Sequence, residues 1–466
     1  MSSLQLIRRG EDGFEEARRD AIWNARVPDR RPAAIALAHN EADVVRALSL
    51  ARGEGWRVSI RSGGHNFVGN GIRDDGLLLD LSRMRSVRVD PSARVAIVEP
   101  GADNERLIER LSAVGLTFSV GHCPSVCMGG FLLGGGLGFN TGEWGYANES
   151  LLAIDVVTAD GNVIRASETE NADLFWAARG SGPGFFGVVV RYHLSLRPHP
   201  EGLWSSSVTL PLELLDRAAA WLDEVTPMLD PRVEPMGWIG FLQGHEIGGG
   251  HQGAGAGQGH GAGQGQRVFL LNTLVYADSD EEAQSLLGPL SRTPFDEHVI
   301  TRNAVKTSFA ELFDFQRVLY KKGRRYAVDC HWTDSPPAEQ PLSHLRKQME
   351  AAPSARTHVL WQLPFGNYRK AQPDMAASIL GRYFVSVYTV WEDEAEDARN
   401  VDWLRATLEP FEPVSTGHYA GDVDLTALPT RAERTLARDR WSRYLAIKRK
   451  WDPESLFHLH HGADER

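Results

Sequence analysis

The sequence predicts an α+β protein built in two units, and three observations carry that prediction. The 466-residue chain is 42% hydrophobic and holds 13 Trp, 18 Phe and 10 Tyr, enough to bury two cores. Through the first 200 or so residues, short apolar runs of strand length alternate with amphipathic helical stretches. At Arg197-Pro-His-Pro200 this pattern breaks, and the region that follows, about 201–430, differs in character.

Asn40 caps a helix running to Gly53, whose Val44, Ala47, Leu48 and Ala51 share one face. Strands are predicted at Val58–Ile60, Leu77–Leu79, Val87–Val89 and Val95–Val98, with Asp90-Pro-Ser92 as the turn between the last two. Asn104–Val114 reads as a helix with Leu107, Ile108 and Leu111 inward. Leu152–Thr158 and Asn162–Ala166 flank an Asp160-Gly161 turn and form a hairpin. A short helix at Asn171–Ala178 ends at Gly180, and Val188–Leu196 alternates as a strand. The second unit contains a helix at Leu212–Leu229 and strands at Val268–Tyr276 and Tyr383–Trp391. Arg434–Lys450 is helical, and Asp452-Pro-Glu-Ser-Leu-Phe457 forms a capped turn after it.

Composition excludes several classes. The net charge of −11 argues against nucleic acid, which needs clustered cations. Three cysteines, Cys123, Cys127 and Cys330, do not make a disulfide framework and suit a reducing compartment. The N-terminus has no signal-peptide core, and no apolar stretch is long enough to span a membrane, so the expectation is a cytoplasmic protein. Glycine, 46 residues, is in excess. Eleven of these lie in the 23-residue tract 244–266, a flexible loop by composition. Its His245, His251 and His260 fix no coordination geometry, and no metal site is expected.

The other glycines concentrate in two segments, Arg61-Ser-Gly-Gly-His-Asn-Phe-Val-Gly-Asn-Gly71 and Gly121–Gly138. Such loops bring backbone close to a ligand and offer amides to a pyrophosphate. A literal Gly-x-Gly-x-x-Gly at Gly182, Gly184 and Gly187 is not a dinucleotide fingerprint, because it runs into a strand rather than a helix.

Taken together, these segments resemble the berberine bridge enzyme-like flavoproteins, within the vanillyl-alcohol oxidase and PCMH-type FAD-binding superfamily. The residues that carry the resemblance are Arg61-Ser-Gly-Gly-His65, Gly121-x-Cys-Pro-x-Val-x-x-Gly-Gly130, Asp173-Leu-Phe-Trp-Ala177 and Phe186-Gly-Val-Val189. Trp451-Asp-Pro-Glu-Ser-Leu-Phe457 is similar to that family's terminal Tyr-Asp-Pro-x-Asn-x-Phe. The resemblance implies a two-domain PCMH-type fold. An FAD-binding domain, 1–200, is rejoined by 431–466, and a substrate domain, 201–430, carries an antiparallel sheet over the flavin. It also implies that His65 bonds to the flavin 8α-methyl and Cys123 to C6, making FAD bicovalent. Arg61, Ser62, Gly63, Gly64, Asn66, Gly69, Gly129, Gly130, Gly134, Gly138, Val188 and His460 would complete the cofactor site. Val126 matches a position that gates oxygen, and valine there resembles the oxidase pattern. Cys127 and Cys330 are structural in this reading.

The implied activity is oxidation of a small organic substrate (an alcohol, amine or activated C–H, on a sugar or natural-product scaffold), with hydride to flavin N5 and reoxidation by O2 to H2O2. The family's base is not plainly retained. Ser386 stands where relatives often carry Glu or Gln, and Gly421 and Asp422 replace an Asn-Tyr pair. Tyr388, Tyr419 and Asp422 are the candidate catalytic residues; Phe384, Ser386 and Tyr388 share one face of their strand, opposite Tyr383, Val385 and Val387. The alternatives are a dehydrogenase or oxidative cyclase with another acceptor, or a non-catalytic flavin or metabolite carrier.

Overall fold

The computed structural model describes residues 4–241, 266–378, 381–428 and 430–463. The glycine-rich tract lies outside them, save Gln266. The first sheet comprises β1 (Gln5–Arg8), β2 (Ala34–Leu37), β3 (Val58–Arg61) and β4 (Leu77–Asp80), ordered β1-β2-β4-β3. β4 lies parallel to both β2 and β3. Its Leu77-Leu-Leu-Asp80 run is buried throughout, as a strand covered on both faces requires. The helix Glu41–Glu54 joins β2 to β3. Asn40 caps it by accepting from the Asp43 amide, and its Val44, Ala47, Leu48 and Ala51 are buried.

The second sheet holds β5 (Val87–Asp90) and β6 (Val95–Val98). After the two-residue β7 (Leu116–Thr117) come its other members, β8 (Leu151–Val157), β9 (Val163–Ser167) and β10 (Val188–Ser195), in the order β5-β6-β10-β8-β9. β7 pairs separately with β11 (Arg197–Pro198). The predicted hairpin is β8–β9, and Gly182–Gly187 does feed a strand, β10. Sequence patterning did not register β1, β2 or the helix Phe14–Asp20: two of the four residues of β2 are alanine, a weak strand former, and five of the seven in the helix are charged.

The third sheet has eight antiparallel strands: β12 (Gly202–Pro211), β13 (Val233–Phe241), β14 (Arg267–Ala277), β15 (Thr301–Thr307), β16 (Arg325–Thr333), β17 (His358–Gln362), β18 (Tyr383–Trp391) and β19 (Ser415–Gly417). Their order is β15-β12-β14-β13-β17-β18-β16-β19. Tyr383, Val385 and Val387 join a core with Leu215, Leu222, Leu345 and Leu404 from the helices on one face. The predicted alternation along β18 therefore holds, and Phe384 and Tyr388 point the other way, into a cavity.

The C-terminal helix Arg438–Trp451 returns to the first two sheets. Lys450 pairs with Asp173 at 2.6 Å, and the Tyr444 hydroxyl donates to the Gly184 carbonyl at 2.6 Å. Asp452 accepts from the Leu456 and Phe457 amides, closing the turn read from the sequence. That turn lays the chain beside β3, where the Val58 amide donates to the Leu456 carbonyl. Among the described residues no helix is long and apolar enough to cross a membrane.

Candidate active site and cofactor cavity

A cavity of about 670 Å³ opens between the first two sheets and the third. That volume falls in the range of cofactor and small-molecule sites, ~300–1,000 Å³. One wall is made of the two glycine-dense loops. Of the fifteen residues assigned to the cofactor, twelve line it: Arg61, Ser62, Gly63, Gly64, His65, Asn66, Gly69, Cys123, Val126, Gly129, Gly130 and Gly134. The first loop leaves β3 under restraint: Arg61 pairs with Asp80 at 3.0 Å and donates to the Ala21 carbonyl. Asn66 caps the loop's end by accepting from the Asn70 amide. The second loop is tied to it where the Gly130 amide donates to the Ser62 hydroxyl at 3.3 Å.

Three assignments are corrected. Val188 is wholly buried in β10, paired with Val157, and packs in the core beneath the loops. Gly138 sits under the backbone of residues 119–120, where a Cβ would lie 2.5 Å from the Val120 carbonyl oxygen. His460 is fully buried behind the Gly182–Gly184 turn, against Trp441 and Tyr444. Gly182 and Pro183 face the cavity in its place. In all three the chain segment passes near the cavity, but packing directs the side chain or Cβ position away from it.

His65 and Cys123 are brought together by Ser125. Its hydroxyl is 3.0 Å from His65 Nε2 and 3.6 Å from Cys123 Sγ. The His65 ring stacks on Trp23 at 4.9 Å. Burial, reinforced by the Arg61 charge, lowers the His65 pKa to about 3, so the imidazole is neutral. Burial pushes the Cys123 thiol up. Cys127 donates to the Gly101 carbonyl and, also by burial, titrates at about 12. Cys330 accepts from the Tyr419 amide, and all three cysteines are unpaired.

The opposite wall is the open face of the third sheet. Tyr388, Tyr419 and Asp422 all line it. Asp422 Oδ2 accepts from the Tyr388 hydroxyl at 2.5 Å and from the Ser386 hydroxyl at 3.0 Å. Burial raises the Asp422 pKa, against the lowering effect of these two donors. Tyr419 is already engaged, its hydroxyl accepting from the Leu137 amide at 3.1 Å. Burial raises the pKa of both tyrosines, so neither is a phenolate near neutrality.

Sequence reasoning missed Trp23, Ser125, Tyr320 and His358. Tyr320, on the cavity wall after the helix Phe309–Leu319, is 3.0 Å from His358 Nε2. The two are 38 positions apart with no motif between them, so no local signal pairs them. Among the described residues one group places three metal-type donor atoms within 4.8 Å: His331, Glu412 and His418. None lines the cavity, and the Glu412 carboxylate is held by Arg431 and Arg434.

The glycine wall fits FAD. The amides of Gly63, Gly64 and His65 donate to no group among the described residues. A Cβ at Gly130 would meet nothing within 4 Å, so any side chain there would occupy cavity space. Free amides and absent side chains are what a pyrophosphate and ribityl chain require.

The comparisons agree with this geometry. The FAD binding domain family matches residues 32–167. The FAD-linked oxidoreductase janO of Penicillium janthinellum is 30% identical over 444 residues, covering 94% of this chain and 93% of its own. Among solved structures, 6-hydroxy-D-nicotine oxidase from Arthrobacter nicotinovorans superposes with a TM-score of 0.82 at 21% identity, covering 100% of this chain and 99% of that one. Berberine bridge enzyme from Eschscholzia californica gives 0.79 at 19% identity, covering 98% and 96%. The fold and site thus define an FAD-dependent oxidoreductase. The chain belongs to the FAD-linked oxidoreductases, and it shares the fold of berberine bridge enzyme.

Proposed function

We propose that this protein is an oxidase of a small organic molecule carrying an alcohol, an amine or an activated C–H bond. In this reading FAD is held covalently by His65 and Cys123, and O2 is the electron acceptor. One observation carries it: a single cavity has His65 and Cys123 on its glycine wall and the Tyr388–Asp422 couple on its sheet wall. Bound there, FAD supplies a two-electron acceptor.

The chain's own residues account for the rest. Neutral His65 keeps a nitrogen lone pair for bond formation, and Ser125 orients both attachment residues. Asp422 is the proton acceptor: its Oδ1 takes no hydrogen bond among the described residues, while Tyr388 and Ser386 hold Oδ2. Val126 lines the cavity three residues after Cys123, and in this reading it is the residue past which O2 reaches the cofactor site.

Anaerobic mixing with a panel of alcohols and amines tests the reading. A substrate should bleach the flavin absorbance, and admitting air should restore it quickly. Bleaching followed by slow return in air would replace the oxidase with a dehydrogenase or cyclase. Absence of bleaching throughout the panel would favour a carrier.

A further inference from the structure

The sheet wall carries a second hydroxyl held by a buried base. His358 Nδ1 lies 3.0 Å from the Arg356 carbonyl, which can only accept, so Nδ1 bears the proton. Nε2 of the neutral ring is then an acceptor, and the Tyr320 hydroxyl donates to it over 3.0 Å. The imidazole has little freedom: Tyr388 stacks on it at 5.0 Å with an interplanar angle of 5°, and Trp238 lies at 5.9 Å and 23°. It is fully buried, and burial keeps its pKa at about 4. His358 itself does not line the cavity, but Tyr320 does.

Tyr388 repeats the arrangement one strand away, its proton committed to Asp422. The Tyr320 and Tyr388 rings are 5.5 Å apart. A tyrosine whose proton is committed to a neighbouring acceptor offers a ligand only oxygen lone pairs. Both residues line the same cavity with their rings in contact, so a ligand that spans the two meets two acceptors.

We propose that Tyr320 and Tyr388 are paired hydrogen-bond acceptors that select a substrate with two neighbouring O–H or N–H groups, such as a vicinal diol, an amino alcohol or an ortho-hydroxylated ring. His358 is the positioning residue that fixes the Tyr320 proton. The inference rests on the cavity being the substrate site, as in the proposed function, but requires neither O2 nor turnover.

The test titrates the holoenzyme anaerobically with catechol, 2-methoxyphenol and 1,2-dimethoxybenzene, of similar size with two, one and no donors. The readout is the perturbation of the flavin spectrum. Affinity should fall about fivefold per donor lost, the effect of one hydrogen bond. Tyr320→Phe should abolish the advantage of catechol over 2-methoxyphenol and leave the affinity for 2-methoxyphenol within about twofold. Tyr388→Phe should likewise diminish the advantage of catechol over 2-methoxyphenol, so that a folding defect in one variant leaves the other as the test. Equal affinity of the wild type for all three probes, or no binding of any, overturns the inference; so does an undiminished catechol preference in both variants. A substrate screen that fails while the catechol preference holds would count against the oxidase reading alone.

Discussion

Tyr388 donates its hydroxyl proton to Asp422 Oδ2 over 2.5 Å, joining β18 to a turn 34 positions later in the chain. Tyr388 is buried and Asp422 half-buried, and desolvation raises the carboxyl pKa against the pull of its two hydroxyl donors. Asp422→Asn should therefore lower the anaerobic flavin-reduction rate by about 10²–10⁴-fold, with flavin content unchanged. The ionised form accepts the proton, so the rate should fall as pH drops through a pKa above the ordinary carboxylate range. Tyr388→Phe removes a donor that favours the carboxylate, and should move that limb to higher pH. Stopped-flow rates from pH 5 to 9 decide the sign.

Covalent attachment has a direct readout. Acid-precipitated protein should remain yellow, and its intact mass should exceed the sequence mass by one FAD. His65→Ala should retain flavin through Cys123. Flavin released by acid from that variant would refute the second bond.

Two glycines of the cofactor wall should behave oppositely. Gly64 has φ +71°, and a Cβ there would lie 2.3 Å from the Ala21 carbonyl oxygen. Gly64→Ala should cost roughly 1–2 kcal/mol for the left-handed backbone alone, with the clash added, and lower the thermal midpoint. Gly130→Val meets no protein atom within 4 Å at its Cβ. It should fold normally and carry less FAD, as the ratio of flavin to protein absorbance will show.

Glu234 on β13 couples the third sheet to the chain just after the second glycine loop, its carboxyl accepting from the Asn140 and Thr141 amides. Burial raises its pKa from 4.5 to about 7. The folded chain thus holds this proton more tightly than the unfolded chain, and the associated stability, full below 4.5, is lost as pH rises from 4.5 to 7. Between pH 5 and pH 8 the loss should be roughly 2.5 kcal/mol. Glu234→Gln should remove that component. Urea midpoints of both proteins at pH 5 and pH 8 measure the difference.

Val126→Ile adds a methylene to the cavity wall. If O2 reaches the cofactor past this residue, reoxidation should slow at least tenfold while anaerobic reduction stays within about twofold. Equal slowing of both steps would point to general distortion of the site.

Much of the architecture was legible because local patterning carries it. The Asn40 cap and the 3.6-residue stripe behind it specify the helix Glu41–Glu54, and the two-residue period of β18 separates Tyr383, Val385 and Val387 from Phe384 and Tyr388. The turn at Gly182–Gly187 was recognised as entering a strand for the same reason. Val188, Gly138 and His460 were assigned to the cofactor because their segments run beside it, yet neighbouring chain directs each away. The N-terminal elements β2 and Phe14–Asp20 gave no strand or helix pattern because one is half alanine and the other mostly charged.

By itself the sequence determined the class of protein, the glycine loops and the attachment candidates, because these are contiguous and a few residues of chain suffice to define them. Only the tertiary structure decided which distant side chains share a wall. It set Asp422 against Tyr388, Ser125 between His65 and Cys123, and Tyr320 on His358. The physical reason is that strand register and loop closure, not sequence neighbourhood, bring together groups whose hydrogen bonds orient one another. The direction in which each hydroxyl points, and so what the cavity asks of a ligand, follows from that assembly.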